Sequence, residues 1–219
     1  MPRPPSLHKP LARLATAAVC AALAVLLGCS ALLAPRTEPM QLFVLGAAPA
    51  DGAGSSGSAG GGSTSIGLGP VTLPGYLDRR EIVTRVAPNQ LRLSQNEQWA
   101  EPLLENVRSV LAQDLAARLG GATVATFPWA GGFRPDYRVR VDVTRFEPTS
   151  AGTAELAARW QVLAGSDVVA ARDSSISRPI GDGGTAAAVA ALGQALGDLA
   201  SEIAAAIPPA PRPTERRRP

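Results

Sequence analysis

Tyr137-Arg138-Val139-Arg140-Val141-Asp142-Val143-Thr144-Arg145-Phe146-Glu147 alternates apolar and polar side chains with a period of two, so it reads as a strand with one face buried and one wet. Phe146 falls out of phase, because strict alternation would point it with Thr144. A bulge near Arg145 restores the pattern. Leu156, Ala158, Trp160 and Val162 alternate in the same way with Glu155, Ala157, Arg159 and Gln161, giving a second half-buried strand. Gly165-Ser166-Asp167 then turns the chain into a third, about Val168 to Ile176. These three strands form an antiparallel meander.

Helical periods lie on either side of the meander. Trp99, Leu103, Leu104, Val107, Val110, Leu111, Leu115 and Leu119 recur at three- and four-residue steps. Pro102 belongs in a first turn, so this helix is expected to begin near 97–101 and to stop at Gly120-Gly121. After the meander, Val189, Leu192, Leu196, Leu199, Ile203 and Ile207 make one stripe that ends at Pro208-Pro209. Asp182 is expected to help start this last helix or its turn. Upstream, 41–45 reads as a first short strand. The segment 66–73 reads as a strand broken by Gly67, Gly69 and Pro70, hence an edge or bulged one. Ile82–Val86 and Leu91–Leu93 are two more, separated by Pro88-Asn89. The fold class that follows is a layered α/β (α+β) domain: one mixed, mostly antiparallel sheet with two long helices packed on it.

The N-terminal segment reads as a secretion signal. Arg3, Lys9 and Arg13 precede an apolar run, Leu14 to Leu27, that ends in Leu26-Leu27-Gly28-Cys29. The run is roughly 14 residues, short of the about 20 needed to cross hydrocarbon. Its end resembles a lipobox, which implies that Cys29 receives a thioether-linked diacylglycerol before cleavage and N-acylation. Two or three acyl chains make a stable anchor at about 0.8 kcal/mol per buried CH₂. Ser30 follows the cysteine where Asp would favour inner-membrane retention, so outer-membrane sorting facing the periplasm is expected. The expected organisation is a signal at 1–28, a lipidated N-terminus and tether at 29–40, one domain at 41–207 and a disordered Arg/Pro-rich tail at 208–219. A Gly/Ser-rich loop occupies 47–65, where 51–65 alone holds six glycines and five serines.

Cleavage before Cys29 also removes much chemistry. The 21 basic residues exceed the 18 acidic ones by the three that precede the apolar run, so the processed chain is electroneutral, and no nucleic-acid partner is expected. His8 and Lys9, the sole histidine and lysine, leave with the signal, as does Cys20. No Ser-His, Cys-His or Ser-Lys pair, Schiff base or P-loop lysine then remains. A disulfide or a His/Cys zinc site is equally excluded, and no cofactor or metal is expected. Paired carboxylates are the one enzymology left, with Asp78 and Glu81, or Asp182, as candidates in turn-like contexts.

The segment 68–85, LGPVTLPGYLDRREIVTR, is the most unusual in composition. Pro74, Gly75 and Tyr76 form a turn, and Asp78, Arg79, Arg80, Glu81 and Arg85 crowd charge around it. An aromatic beside arginines is the composition of binding hot spots. The other reading is that Tyr76 and Leu77 tuck under the sheet while the charges pair among themselves. Trp99 and Trp160 read as core, whereas Trp129, in the loop Phe127–Phe133, offers an apolar surface to a membrane or partner.

With VTLPGYLDR, IVTR and EQWAEPL in order, and YRVRVDVTRFE and LAARWQVL later, the chain resembles the PqiC (YmbA-type) family of ABC-type transport auxiliary lipoproteins over nearly its whole processed length. The resemblance implies a lipoprotein that works beside MCE-domain membrane proteins (PqiB-like) with their permease and ATPase, at the outer-membrane end of a lipid-carrying bridge. Pro74, Tyr76, Leu77, Asp78, Arg79 and Arg85 are the candidate partner-binding residues. MCE-type rings present repeated surfaces, so a cyclic homo-oligomer stands as an alternative to a monomer held by its lipid. A structural envelope lipoprotein touching peptidoglycan or outer-membrane assembly machinery, and a carboxylate-based hydrolase, are the competing functions. Cys29→Ala is expected to leave the protein unprocessed or soluble. An unmodified mature N-terminus in the mass spectrum of the wild-type protein would refute the lipidation.

Overall fold

The computed structural model describes residues 39–48, 64–129 and 131–208. Cys29, the signal, most of the Gly/Ser-rich loop and most of the tail lie outside them. From Met40 onward the described chain forms one compact unit. Its elements are β1 (Gln41–Phe43), β2 (Ser65–Thr72), β3 (Glu81–Ala87), β4 (Gln90–Trp99), α1 (Leu103–Arg118), β5 (Thr123–Thr126), β6 (Tyr137–Pro148), β7 (Thr153–Ala164), β8 (Asp167–Pro179) and α2 (Gly184–Ala206). A 3₁₀ turn covers Gly75–Leu77.

The class is α+β, with two helices on mixed, mostly antiparallel strands, but the strands make two sheets where one was expected. A three-stranded sheet has the order β1-β4-β3, and a five-stranded sheet the order β5-β2-β6-β7-β8. The meander is the backbone of the larger one: β6 pairs antiparallel with β7, and β7 with β8. The β6–β7 register shifts between Val143 and Arg145, and Phe146 turns into the core at 1% exposure. The phase break in the sequence thus marks a bulge. Both helices pack on the five-stranded sheet, α1 against β2 and β5, and α2 against β6, β7 and β8.

The segment 66–73, expected as an edge or a bulged strand, is bulged and interior. β2 lies between β5 and β6 and runs parallel to both, with its bulge between Leu68 and Val71. Its glycines serve close approach. A Cβ on Gly67 would stand 2.6 Å from Trp129 Cζ2 and 2.8 Å from Pro135 Cγ, and Gly69, at φ +133°, lies under Phe127. The loop after β5 therefore crosses this end of the sheet. Trp129 is half-buried there, its indole donating to the Ala125 carbonyl at 3.2 Å, while Phe127 stays exposed and meets the indole edge-on at 5.3 Å.

Trp99 is a second correction. It is buried, as expected, but it ends β4 rather than starting a helix, because β1 pairs parallel with residues 97–99 and the Trp99 amide donates to the Arg80 carbonyl at 2.7 Å. Pairing across the sheet overrides a helical spacing that fits equally well. α1 begins only after Pro102 and ends as expected before Gly120, whose φ is +65°. Asp182 does not cap α2: the N-cap is Gly183, at φ +146°, and no side chain bonds there.

Small residues on α2 seat the chain that leaves β1. A Cβ on Gly193 would come 2.7 Å from the Gly46 carbonyl oxygen, and one on Gly197 would strike Ala48. Opposite, the Leu45 amide donates to the buried Asn106 Oδ1 of α1 at 2.6 Å. The larger α2 residues, Leu192, Leu196, Leu199 and Ile203, are almost wholly inaccessible. Burial of each stabilises by about 1.5–3 kcal/mol. Buried Trp160 keeps its polar edge satisfied, since its indole donates to Ser174 Oγ at 2.8 Å and that hydroxyl donates to Glu202 on α2.

Gly67→Ala is expected to destabilise by about 1–3 kcal/mol, because the added methyl forces Trp129 or the strand to move. Urea unfolding measures it, and a variant as stable as the parent would show that the loop is not seated as described.

Candidate functional site

Glu147 is the polar centre of the region that the sequence singled out. The bulge puts Phe146 on the core face and Glu147 on the opposite one, yet Phe146, Glu147 and Pro148 are all buried, so both faces of β6 are covered here. Tyr76 and Arg85 cover Glu147, and β3 runs beside the chain just past β6. Arg85 of β3 bridges to Thr149, its carbonyl accepts from the Ser150 amide at 2.9 Å, and the Ser150 hydroxyl donates to the Val86 carbonyl at 3.2 Å.

The Glu147 carboxylate, at 0% exposure, is fully engaged. Oε1 accepts from Arg85 Nε at 2.7 Å and lies 3.4 Å from Arg145 Nε. Oε2 accepts from the Tyr76 hydroxyl at 2.8 Å and from the Phe146 amide at 3.0 Å. Arg85 also donates to the Pro88 carbonyl at 2.9 Å, and its guanidinium lies 5.9 Å from the centre of the Tyr76 ring. A bare carboxylate in this place would cost several kcal/mol; two guanidinium groups and two further donors offset that. Burial first, and then the hydrogen bond and negative charge of Glu147, push the Tyr76 phenol up to about 12.

The segment 74–85 therefore divides in two. Tyr76 and Arg85 turn inward to Glu147, and Leu77 is buried at 2% exposure. Pro74 is half-buried and closes the 3₁₀ turn by accepting from the Leu77 amide at 2.9 Å. Asp78, Arg79 and Arg80 stand exposed on the rim, and among the described residues none of them makes an ion pair or a side-chain hydrogen bond. The candidate residues are thus brought together as a clamped base and a free charged rim. Glu147 and Arg145 were not among the site residues expected from the sequence. The phase break at Arg145 was the available signal, but it does not say that Tyr76 and Arg85 meet Glu147 there.

Other charged side chains form separate groups. Asp114 of α1, at 1% exposure, pairs with Arg118 at 3.1 Å, and Arg118 reaches Ser201 of α2 at 2.5 Å. Burial raises the Asp114 carboxyl against the pull of Arg118. Among the described residues no group of His, Cys, Asp and Glu could hold a metal ion, and no helix is long and apolar enough to cross a membrane.

The domain is α+β, and one of its turns has a clamped base and an exposed charged rim. The chain belongs to the family of ABC-type transport auxiliary lipoprotein components, whose model matches residues 43–204. Among solved structures it is similar to an uncharacterized protein at 21% identity and a TM-score of 0.64, covering 77% of this chain and 98% of that one. It is also similar to protein XCC0632 from Xanthomonas campestris, at 23% identity and a TM-score of 0.55, over 74% and 92% of the two chains. At these identities the likeness is one of fold. No curated protein matches the sequence.

The phenol that donates to Glu147 couples stability to alkaline pH. Its folded pKa lies above its ordinary value of 10.0, so the contribution is whole below pH 10 and is lost as pH rises through about 12. Urea unfolding between these pH values is expected to fall more steeply for the parent than for Tyr76→Phe. Parallel declines would show that Tyr76 is not held by the carboxylate.

Proposed function

We propose that this auxiliary lipoprotein is anchored in the outer membrane through Cys29, faces the periplasm, and binds the MCE-domain component of an ABC-type intermembrane lipid transport system through the turn at 74–85. Family membership supports the transport role. The observation that carries the site is the division of the turn: Tyr76, Leu77 and Arg85 hold it rigid, while the side chains of Asp78 and Arg79 make no ion pair or hydrogen bond among the described residues. Rigid presentation lowers the entropy lost on binding. An arginine free of internal partners keeps its fork of donors for a carboxylate on another chain.

The clamp also decides how the site is tested. Tyr76→Ala would loosen Glu147 and confuse folding with binding, whereas Arg79 can be changed alone. Arg79→Glu combined with Arg80→Glu is expected to weaken capture of the MCE-domain protein by about tenfold or more, the equivalent of at least one lost charged contact. Stability should stay within about 0.5 kcal/mol of the parent, as for other surface substitutions. Unaltered capture by a folded double variant would remove the rim from the interface. Binding to peptidoglycan in place of the MCE-domain protein would favour the structural-lipoprotein reading.

A further inference from the structure

The face of the five-stranded sheet turned away from the helices is covered at two places. The loop carrying Trp129 and Pro135 lies over Gly67, and the Tyr76 and Arg85 side chains lie on Glu147 near the end of β6. Between these covers is a depression of about 650 Å³ lined mostly by outward-facing residues of β2, β6, β7 and β8, with Val141, Trp160 and Arg172 of the opposite strand faces also bordering it.

Two rows of side chains cross it. In one, Thr72, Asp142, Arg159 and Asp173 stand in register on four successive strands. Both oxygens of Asp142 are engaged, Oδ1 accepting from the Thr72 hydroxyl at 2.7 Å and Oδ2 from Arg159 at 2.8 Å. The Thr72 hydrogen bond first, and then Arg159, hold its carboxyl below the usual range. Asp173 faces Arg159 from the other side but makes no ion pair among the described residues. The neighbouring row holds Arg140 opposite Gln161, and Gln161 opposite Ala171. Arg140 and Gln161 are exposed, and neither has a side-chain partner among the described residues. Ala171, with only a methyl group, leaves the space open beside them.

One hollow thus offers a free guanidinium, a free amide and a free carboxylate around a pair already neutralised. We propose that it binds a zwitterion of the phosphoethanolamine type, its phosphate on Arg140 and Gln161 and its primary ammonium on Asp173. Arg140 and Asp173 lie two strands and one row apart, about 12 Å between Cα atoms from ordinary sheet spacing. A long arginine side chain leaning along the sheet can close much of that distance, so a small zwitterion can bridge the two charges. A phosphate also has the several acceptor oxygens that a guanidinium fork and an amide together can use. This inference uses none of the residues of the partner-binding turn, so either can fail alone.

Calorimetric titration of the full-length chain in maltoside micelles with glycerophosphoethanolamine tests it. Saturable binding is expected, weakened about tenfold each by Arg140→Gln and Asp173→Asn, the loss of one charge-assisted contact. Inorganic phosphate is expected to bind more weakly and to ignore Asp173→Asn. A short-chain phosphatidylethanolamine that binds more tightly than the bare headgroup would identify the source as lipid, and equal affinity would identify the free headgroup; both support the site. No heat at millimolar headgroup, or binding indifferent to both variants, would overturn it. Phosphate binding as well as the headgroup would overturn the zwitterion. Capture of the MCE-domain protein by the same variants should be unchanged, which separates this outcome from the fate of the partner-binding reading.

Discussion

Glu147 has no exposed surface, and a carboxylate in that position is tolerated only while its oxygens are occupied by donors from several elements at once. Tyr76 comes from the 3₁₀ turn, Arg85 from the three-stranded sheet, and Arg145 and the Phe146 amide from the five-stranded sheet. One group therefore joins two sheets and a turn. The joint is directional where apolar packing is not: a shift of β3 along β6 would take Arg85 away from Oε1 and leave a charge buried. Register between the sheets, and with it the position of the charged rim, depends on this contact.

The same economy appears at the other end of the larger sheet. β2 lies parallel between β5 and β6, with residues 66–69 all buried. Side chains at 67 and 69 would hold the covering loop away, so glycine at both positions lets Trp129 and Phe127 lie on the backbone. These two covers leave the middle of the face open. Charges that would be unremarkable on a flat wet sheet are there drawn into a hollow, and the neutralised pair of Asp142 and Arg159 separates the free groups.

The helices do different work. α1 and α2 close the core, and α2 combines large residues directed at the sheet with small ones that admit the chain leaving β1. Asn106 fastens that chain by its Leu45 amide. The strand that starts the domain is thereby held to the face of both helices just before the Gly/Ser-rich segment begins. For a protein of an auxiliary lipoprotein family, this fixes the first strand of the folded unit firmly to its core.

Local periodicity was enough for the meander, its bulge at Arg145, the end of α1 and the whole apolar stripe of α2, because each depends on which neighbours along the chain are buried together. The interior position of β2, the strand state of Trp99 and the division into two sheets were not legible in it. A glycine that breaks an edge and one that admits an indole look alike in sequence, and the spacing from Trp99 to Leu103 suits a helix until β1 pairs with that stretch. Tyr76 and Arg85 were visible as unusual residues, but their shared partner lies 71 and 62 positions away on another sheet. Only folding brings such groups together, because the free energy that selects them comes from removing one carboxylate from water.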